Sequence, residues 1–245
     1  MALAARQTIA NEVFDRINEA LREVKTYWPT DSWEFRQLHR EAVKLTNADS
    51  FQGALAQALV FQLAGDHESA ARWARNADAH PGHTLRVTLA KALTLSNLGF
   101  FTQARELLLS LKPKEWPIDR CSLFLAAGCL SSLELRAQGD LTDADEVWNE
   151  DLAIARRCNM SLANAKLDEQ YMALVADLAG EVFQAHKMFF AGAKPIIRTF
   201  DDGVLYQFAV HVDAKTSADM TEEVIIKMVE RNLDHEGLSF SFIPA

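Results

Sequence analysis

FQGALAQALVFQLAGDHESAARWARNADAHP, residues 51–81, is the stretch whose reading decides the fold. Its first half places Ala54, Ala58 and Phe61 at helical spacing, and its second half does the same with Ala70, Trp73, Ala74 and Ala77. Between them stands Gly65-Asp66. Glycine accepts the left-handed backbone that a helix end requires, and Asp66 is placed to cap the helix that follows. Pro81-Gly82 then ends the segment, since proline cannot continue a helix. The stretch predicts two antiparallel helices whose small residues let the backbones approach closely. Working outward, Gly65–Ala70 returns as Gly99–Ala104 and then as Gly139–Ala144 and Gly180–Ala185. The intervals run from about 34 to about 40 residues, a period that marks stacked helix–turn–helix units.

Aligned on the glycine, the first unit reads Ala58, Phe61, Gly65, Ala70 and the second Ala92, Leu95, Gly99, Ala104, Leu108. The third reads Ser132, Leu135, Gly139, Ala144, Trp148 and the fourth Ala173, Ala176, Gly180, Ala185, Phe189. This pattern resembles the tetratricopeptide repeat over residues 50–194. The chain departs from that family at the repeat tryptophan, replaced by Ala54, Thr88, Gly128 and Glu169. Its later spacings also require longer connections near Lys112–Pro117 and Cys158–Leu162. The resemblance implies a mainly α fold, a tetratricopeptide-like α-solenoid of antiparallel helix pairs, with each of the four glycines in the turn of a pair.

The flanking segments complete the expected organisation. Residues 1–49 read as two helices broken around Trp28-Pro29-Thr30, a divergent N-terminal hairpin. The helical repeat domain thus covers 1–194. Near Lys194 the period changes from helical to alternating. Pro195–Phe200, an Asp202-Gly203 turn and Val204–Val212 predict a β-hairpin. A helix starting at Ser217 or Thr221 follows, with Val224, Ile225, Met228, Val229 and Leu233 as its apolar face and Gly237 closing it. Leu238, Phe240 and Phe242 supply a last strand. Residues 195–245 therefore form a ββαβ module, too small to stand alone. Its terminal strand either pairs within the sheet or forms the edge of a homodimer.

Composition narrows the function. The 245 residues carry 25 Lys and Arg against 34 Asp and Glu, a formal charge of −9, which disfavours phosphate-backbone binding and excludes nucleic acid as a partner. Three cysteines without a CxxC pair suit a reducing cytosol, hence a cytoplasmic location. The N-terminus lacks the pattern of a signal peptide. Cys121–Leu133, an uncharged stretch, is too short to span a bilayer and reads as a buried helix, so no membrane role is expected.

The sequence carries no motif for catalytic, cofactor or metal residues: the histidines are dispersed, and no HExxH, Ser-His-Asp or phosphate-loop context is present. His80 and His83 lack a nearby cysteine to complete a zinc site. Cys121 and Cys129 lack the basic surroundings of an activated thiolate. Binding is better represented. The acidic run Asp140–Asp151 offers a face for a basic partner, against the ordinary reading of a solvated helix.

In tetratricopeptide proteins the first helices line a concave groove. The resemblance places Leu59, Leu93, Leu133 and Leu174 there, with Leu55, Leu89, Cys129 and Gln170 one turn earlier. Gln62, Arg86, Asn97, Arg136 and Asp177 are the polar neighbours. That stripe suits an amphipathic helix or an extended apolar peptide, unless its leucines are spent on packing between repeats. The expectation is a non-catalytic scaffold for a protein or peptide partner, basic or amphipathic. Its alternatives are a stoichiometric neutraliser of a partner protein, and an enzyme or enzyme subunit with a site between the solenoid and the C-terminal module, using residues such as His211 or Asp213.

Overall fold

The computed structural model describes residues 2–78, 84–112, 121–137, 146–188 and 195–244. Among them the chain is mainly helical, with eleven helices and a three-stranded sheet near the C-terminus. It divides into two compact units, Met1–Leu98 with Phe183–Ala191, and Gly99–Val182 with Gly192–Ala245. The change of period near residue 194 marks a change of secondary structure, while the strands themselves fall in one unit with 99–182.

The first unit contains α1 (Ala2–Glu23), α2 (Trp33–Ala48), α3 (Ser50–Leu63), α4 (His67–Asp78) and α5 (Thr84–Asn97). Ser32 caps α2 by accepting from the Phe35 N–H at 3.2 Å. Asp49 closes α2 through its own N–H to the Leu45 carbonyl and caps α3 by accepting from Gln52 N–H at 2.9 Å. Ile17, Leu38, Leu45, Val60 and Leu63 build the core, with α3 buried along almost its whole length. Gly65 sits between α3 and α4 at φ 66°. The Asp66 N–H reaches back to the Phe61 carbonyl, and Asp66 Oδ1 accepts from Ser69 N–H at 3.0 Å. Turn and cap therefore stand where the sequence puts them.

The second unit contains α6 (Phe101–Leu109), α7 (Cys121–Ala126), α8 (Leu130–Ala137), α9 (Glu146–Asn164) and most of α10 (Glu169–Ala185). It also holds β1 (Ile196–Phe200), β2 (Gly203–Val210), α11 (Ala214–Glu230) and β3 (Leu238–Pro244). Gly99, at φ 83°, lies in a turn before α6. Helix α10 organises this unit through its acids. Glu169 pairs with Arg105 at 2.6 Å and accepts from Ser131 N–H in the first turn of α8 at 2.7 Å. Asp177 accepts from Thr102 N–H in the first turn of α6, and Glu181 binds both Lys227 of α11 and Arg231 at its C-cap.

Several expectations are corrected. Gly180 is not in a turn: it lies inside α10, where a Cβ would fall 2.6 Å from the Gly99 carbonyl carbon and 2.8 Å from the Gly99 Cα. It is small because two backbones meet there. Cys158–Leu162 is no connection but the interior of α9, with Cys158 and Leu162 buried. Cys121–Leu133 is not one helix. Gly128, at φ 72°, ends α7, and the Cys129 N–H returns to the Phe124 carbonyl at 2.8 Å in the six-to-one closure of a left-handed cap. Gly139, Ala144, the connection from 113 to 117, Gly82 and residues 140–145 of the acidic run lie outside the described residues.

In the sheet, β2 is central, antiparallel to β1 and parallel to β3, with α11 as the crossover. Asp201 and Asp202 make the hairpin turn, because Gly203 already pairs opposite Phe200. Val204, Tyr206, Phe208 and Val210 are buried, as their alternation predicts, although the strand ends at Val210. The Tyr206 hydroxyl donates to the Ala126 carbonyl, and the Ser161 hydroxyl to the Phe200 carbonyl. Helix α11 begins earlier than expected, at Ala214, because Asp213 caps it through the Thr216 N–H at 2.8 Å. It ends before Asn232, which takes φ 56°, and not at Gly237. Its buried face is Met220, Val224 and Met228, so Ile225 and Val229 point outward. Ser217 donates to the Phe242 carbonyl and Thr221 accepts from the Phe242 N–H, so α11 itself occupies the outer edge of β3 at that residue. Those groups are not left over for pairing with a second copy.

Candidate functional site

In the first unit the leucines of the 34-residue period fall on α3 and α5, two helices that pack together. Leu59 and Leu93 are each partly open, while Ala58, Val60, Ala92 and Thr94 beside them are buried. Leu89, one turn earlier on α5, is also half-buried, whereas Leu55 on α3 is in the core. Asn97 is buried, and Arg86 lies in α5 with its side chain outside the described residues. Gln62, one turn beyond Leu59, is 0% exposed, and neither atom of its amide has a partner among the described residues.

An unpaired buried amide costs about 1–3 kcal/mol, so Gln62→Met, which keeps the bulk and removes the polar atoms, is expected to stabilise the unit by about 1 kcal/mol. Chemical denaturation checks this. A destabilised Gln62→Met protein would show that the amide is satisfied.

The positions read into the later units have other surroundings. Leu133 is 1% exposed, and Cys129, one turn before it, is fully buried. Leu174 and Gln170 are exposed on α10. The Asp177 carboxylate serves α6; burial pushes its carboxyl above the usual range, against the hydrogen bonds from Thr102 and Phe101 that pull it down. Arg136 lies in α8, its side chain outside the described residues. The leucines of these units are thus divided between core and solvent.

Asp213 is the cap of α11, its carboxyl held below the usual range chiefly by the Thr216 backbone hydrogen bond, and His211 is exposed. Burial raises both described thiols, Cys158 to about 12 and Cys129 further, so neither is a nucleophile near neutral pH. His80 and His83 lie outside the described residues. Among the described residues no cluster of His, Cys, Asp or Glu is arranged to hold a metal, and no helix is long and apolar enough to cross a membrane. The fold also joins residues that no sequence motif connects. Asp202, His235, Glu236 and Asn164 line a cleft of about 340 Å³ beside the β1–β2 turn. All four are exposed, and His235 Nδ1 is engaged by the Gly237 N–H at 3.0 Å.

No protein-family model, no curated protein and no solved structure matches this chain.

Proposed function

We propose that this chain is a non-catalytic, tetratricopeptide-like scaffold that holds an apolar segment of a partner protein along the first helices of its repeats. The observation that carries the reading is the Leu59–Leu93 pair. Residues one 34-residue period apart, on the packed helices α3 and α5, each followed six residues later by a glycine at positive φ, keep part of their apolar surface open while their neighbours are buried. A row of that kind on adjacent helices receives the apolar face of a helix or extended peptide, and excluding water from it supplies the affinity.

The test is affinity capture from the cell of origin, with partners identified by mass, using the parent chain, Leu59→Asp and Leu93→Asp. Circular dichroism first establishes that each variant is folded. A stoichiometric partner held by the parent and lost, by about tenfold or more in affinity, from both folded variants is the expected result. A partner held equally by the folded variants overturns the groove, and turnover of a metabolite by the pure chain overturns the non-catalytic reading.

A further inference from the structure

Helix α11 presents an outward row of aliphatic side chains that the fold leaves open. Ile225, Ile226 and Val229 are 49%, 50% and 55% exposed, all within two turns. Beside Ile225 the row runs into a groove of about 450 Å³ that is floored by Phe242 and Pro244 at the end of β3. A helix needs one apolar stripe to join its own fold, and α11 has that stripe in Met220, Val224 and Met228. The second stripe contributes nothing to folding.

Charge selects the occupant. The cations of α11 and its C-cap are consumed inside the chain: Lys215 pairs with Asp219 at 2.6 Å, and Lys227 and Arg231 pair with Glu181 at 3.0 and 2.7 Å. The acids of the outward face are not so consumed. Glu222, Ile226 and Glu230 follow one another at i, i+4 and i+8, and both glutamates are exposed with no partner among the described residues. A second copy fits poorly. Two α11 helices packed antiparallel about Ile226 would set Glu222 against Glu230 of the other copy, and a parallel pair would set each acid against itself. An apolar row between unpaired carboxylates is complementary to a helix whose apolar stripe is bordered by Lys or Arg.

We propose that the outward face of α11 is a docking site for a basic amphipathic helix of another protein. The site is separate from the Leu59–Leu93 row and does not depend on it.

The probe is a synthetic peptide of about 18 residues, long enough for an isolated helix, built from Leu and Lys with Leu at helical period. Its controls are the same composition in scrambled order, and a version with Glu in place of Lys. Binding to the intact chain is titrated by fluorescence anisotropy. The amphipathic Leu and Lys peptide is expected to bind at least about tenfold more tightly than either control, and more weakly as salt rises. Ile226→Ser with Val229→Ser, and separately Glu222→Lys with Glu230→Lys, should each weaken it by about tenfold, whereas Leu135→Ser, an exposed change on α8, should not. All four positions on α11 are exposed, so the variants should melt with the parent chain. Equal affinity for the scrambled peptide, which would mean net charge alone, overturns the proposal. So does equal affinity of the α11 variants, or a concentration-dependent dimer of the parent chain that the Ile226→Ser, Val229→Ser variant abolishes.

Discussion

A Gly180→Val chain is expected to lose most of the stability of its second unit. In an exposed helix the exchange would cost little, because valine is a better helix former than glycine. Here α10 meets the Gly99 turn backbone to backbone, and the new Cβ would fall 2.6 Å from a carbonyl carbon and nearer still to its oxygen. Neither partner is the yielding end of a side chain. Gly99 cannot retreat freely, since it is held at φ 83° between α5 and α6. Overpacking typically costs about 1–3 kcal/mol and exceeds that range when rigid backbone is the obstacle, so a loss of at least about 3 kcal/mol is expected. That corresponds to a drop in melting temperature on the order of 10 °C for a domain of this size. Thermal melting against Leu174→Ala, an exposed change on the same helix, measures it. Equal melting points would show that the close approach of Gly99 and Gly180 does not exist.

The same glycine shows why the sequence is legible in some places and not in others. Gly65 was readable because turn, cap and helix start are written in adjacent residues, and the Phe61, Gly65, Asp66 and Ser69 hydrogen bonds close locally. Gly180 has the same spacing to an alanine, but its reason is tertiary, and a period alone cannot separate a turn glycine from a packing glycine. Helix ends at Lys166, Lys187 and Asn232 adopt positive φ without glycine, so nothing in the residue type announced them. The acids of α10 were opaque for a related reason. Glu169 and Asp177 serve backbone groups 38 and 75 residues away. Their spacing therefore carries no trace of the partner, and Asp177 was read as a groove residue.

The candidate binding surfaces follow the same rule. Leu59 and Leu93 were found because repetition fixes equivalent positions before any contact is known. The outward stripe of α11 was misread because Val224, Ile225, Met228 and Val229 satisfy helical spacing while straddling two faces. Which of those faces turns inward is decided by Ser217 and Thr221, whose hydroxyls engage Phe242 on the β3 edge. A pattern of apolar residues identifies an amphipathic helix only when there is one apolar arc. With two, the polar anchors choose.

The strands at the C-terminus pose the remaining question of organisation, and Phe208→Ala answers it. Phe208 is 0% exposed and packs against Phe101 of α6 at 5.4 Å, Tyr206 at 5.1 Å and Phe240 at 5.5 Å. Its ring thus joins a neighbour on the same strand, the adjacent strand and a helix about a hundred residues earlier. Truncation of such a ring is expected to cost about 3–5 kcal/mol, from lost burial and the cavity left behind. Phe200, on the same hairpin, is 57% exposed, so Phe200→Ala should stay within about 0.5 kcal/mol of the parent chain. Denaturant unfolding of both, with the helices followed by far-ultraviolet and the aromatic core by near-ultraviolet circular dichroism, separates two organisations. If the strands share one core with α6 and α7, Phe208→Ala lowers a single transition that includes the helices. A separate early transition confined to the strands would instead make them an appendage, and helix unfolding would then match that of Phe200→Ala. The hydrogen bond from the buried Tyr206 hydroxyl to the Ala126 carbonyl, 80 residues earlier, favours the single transition. An appendage has no reason to satisfy a helix-end carbonyl in the body it hangs from.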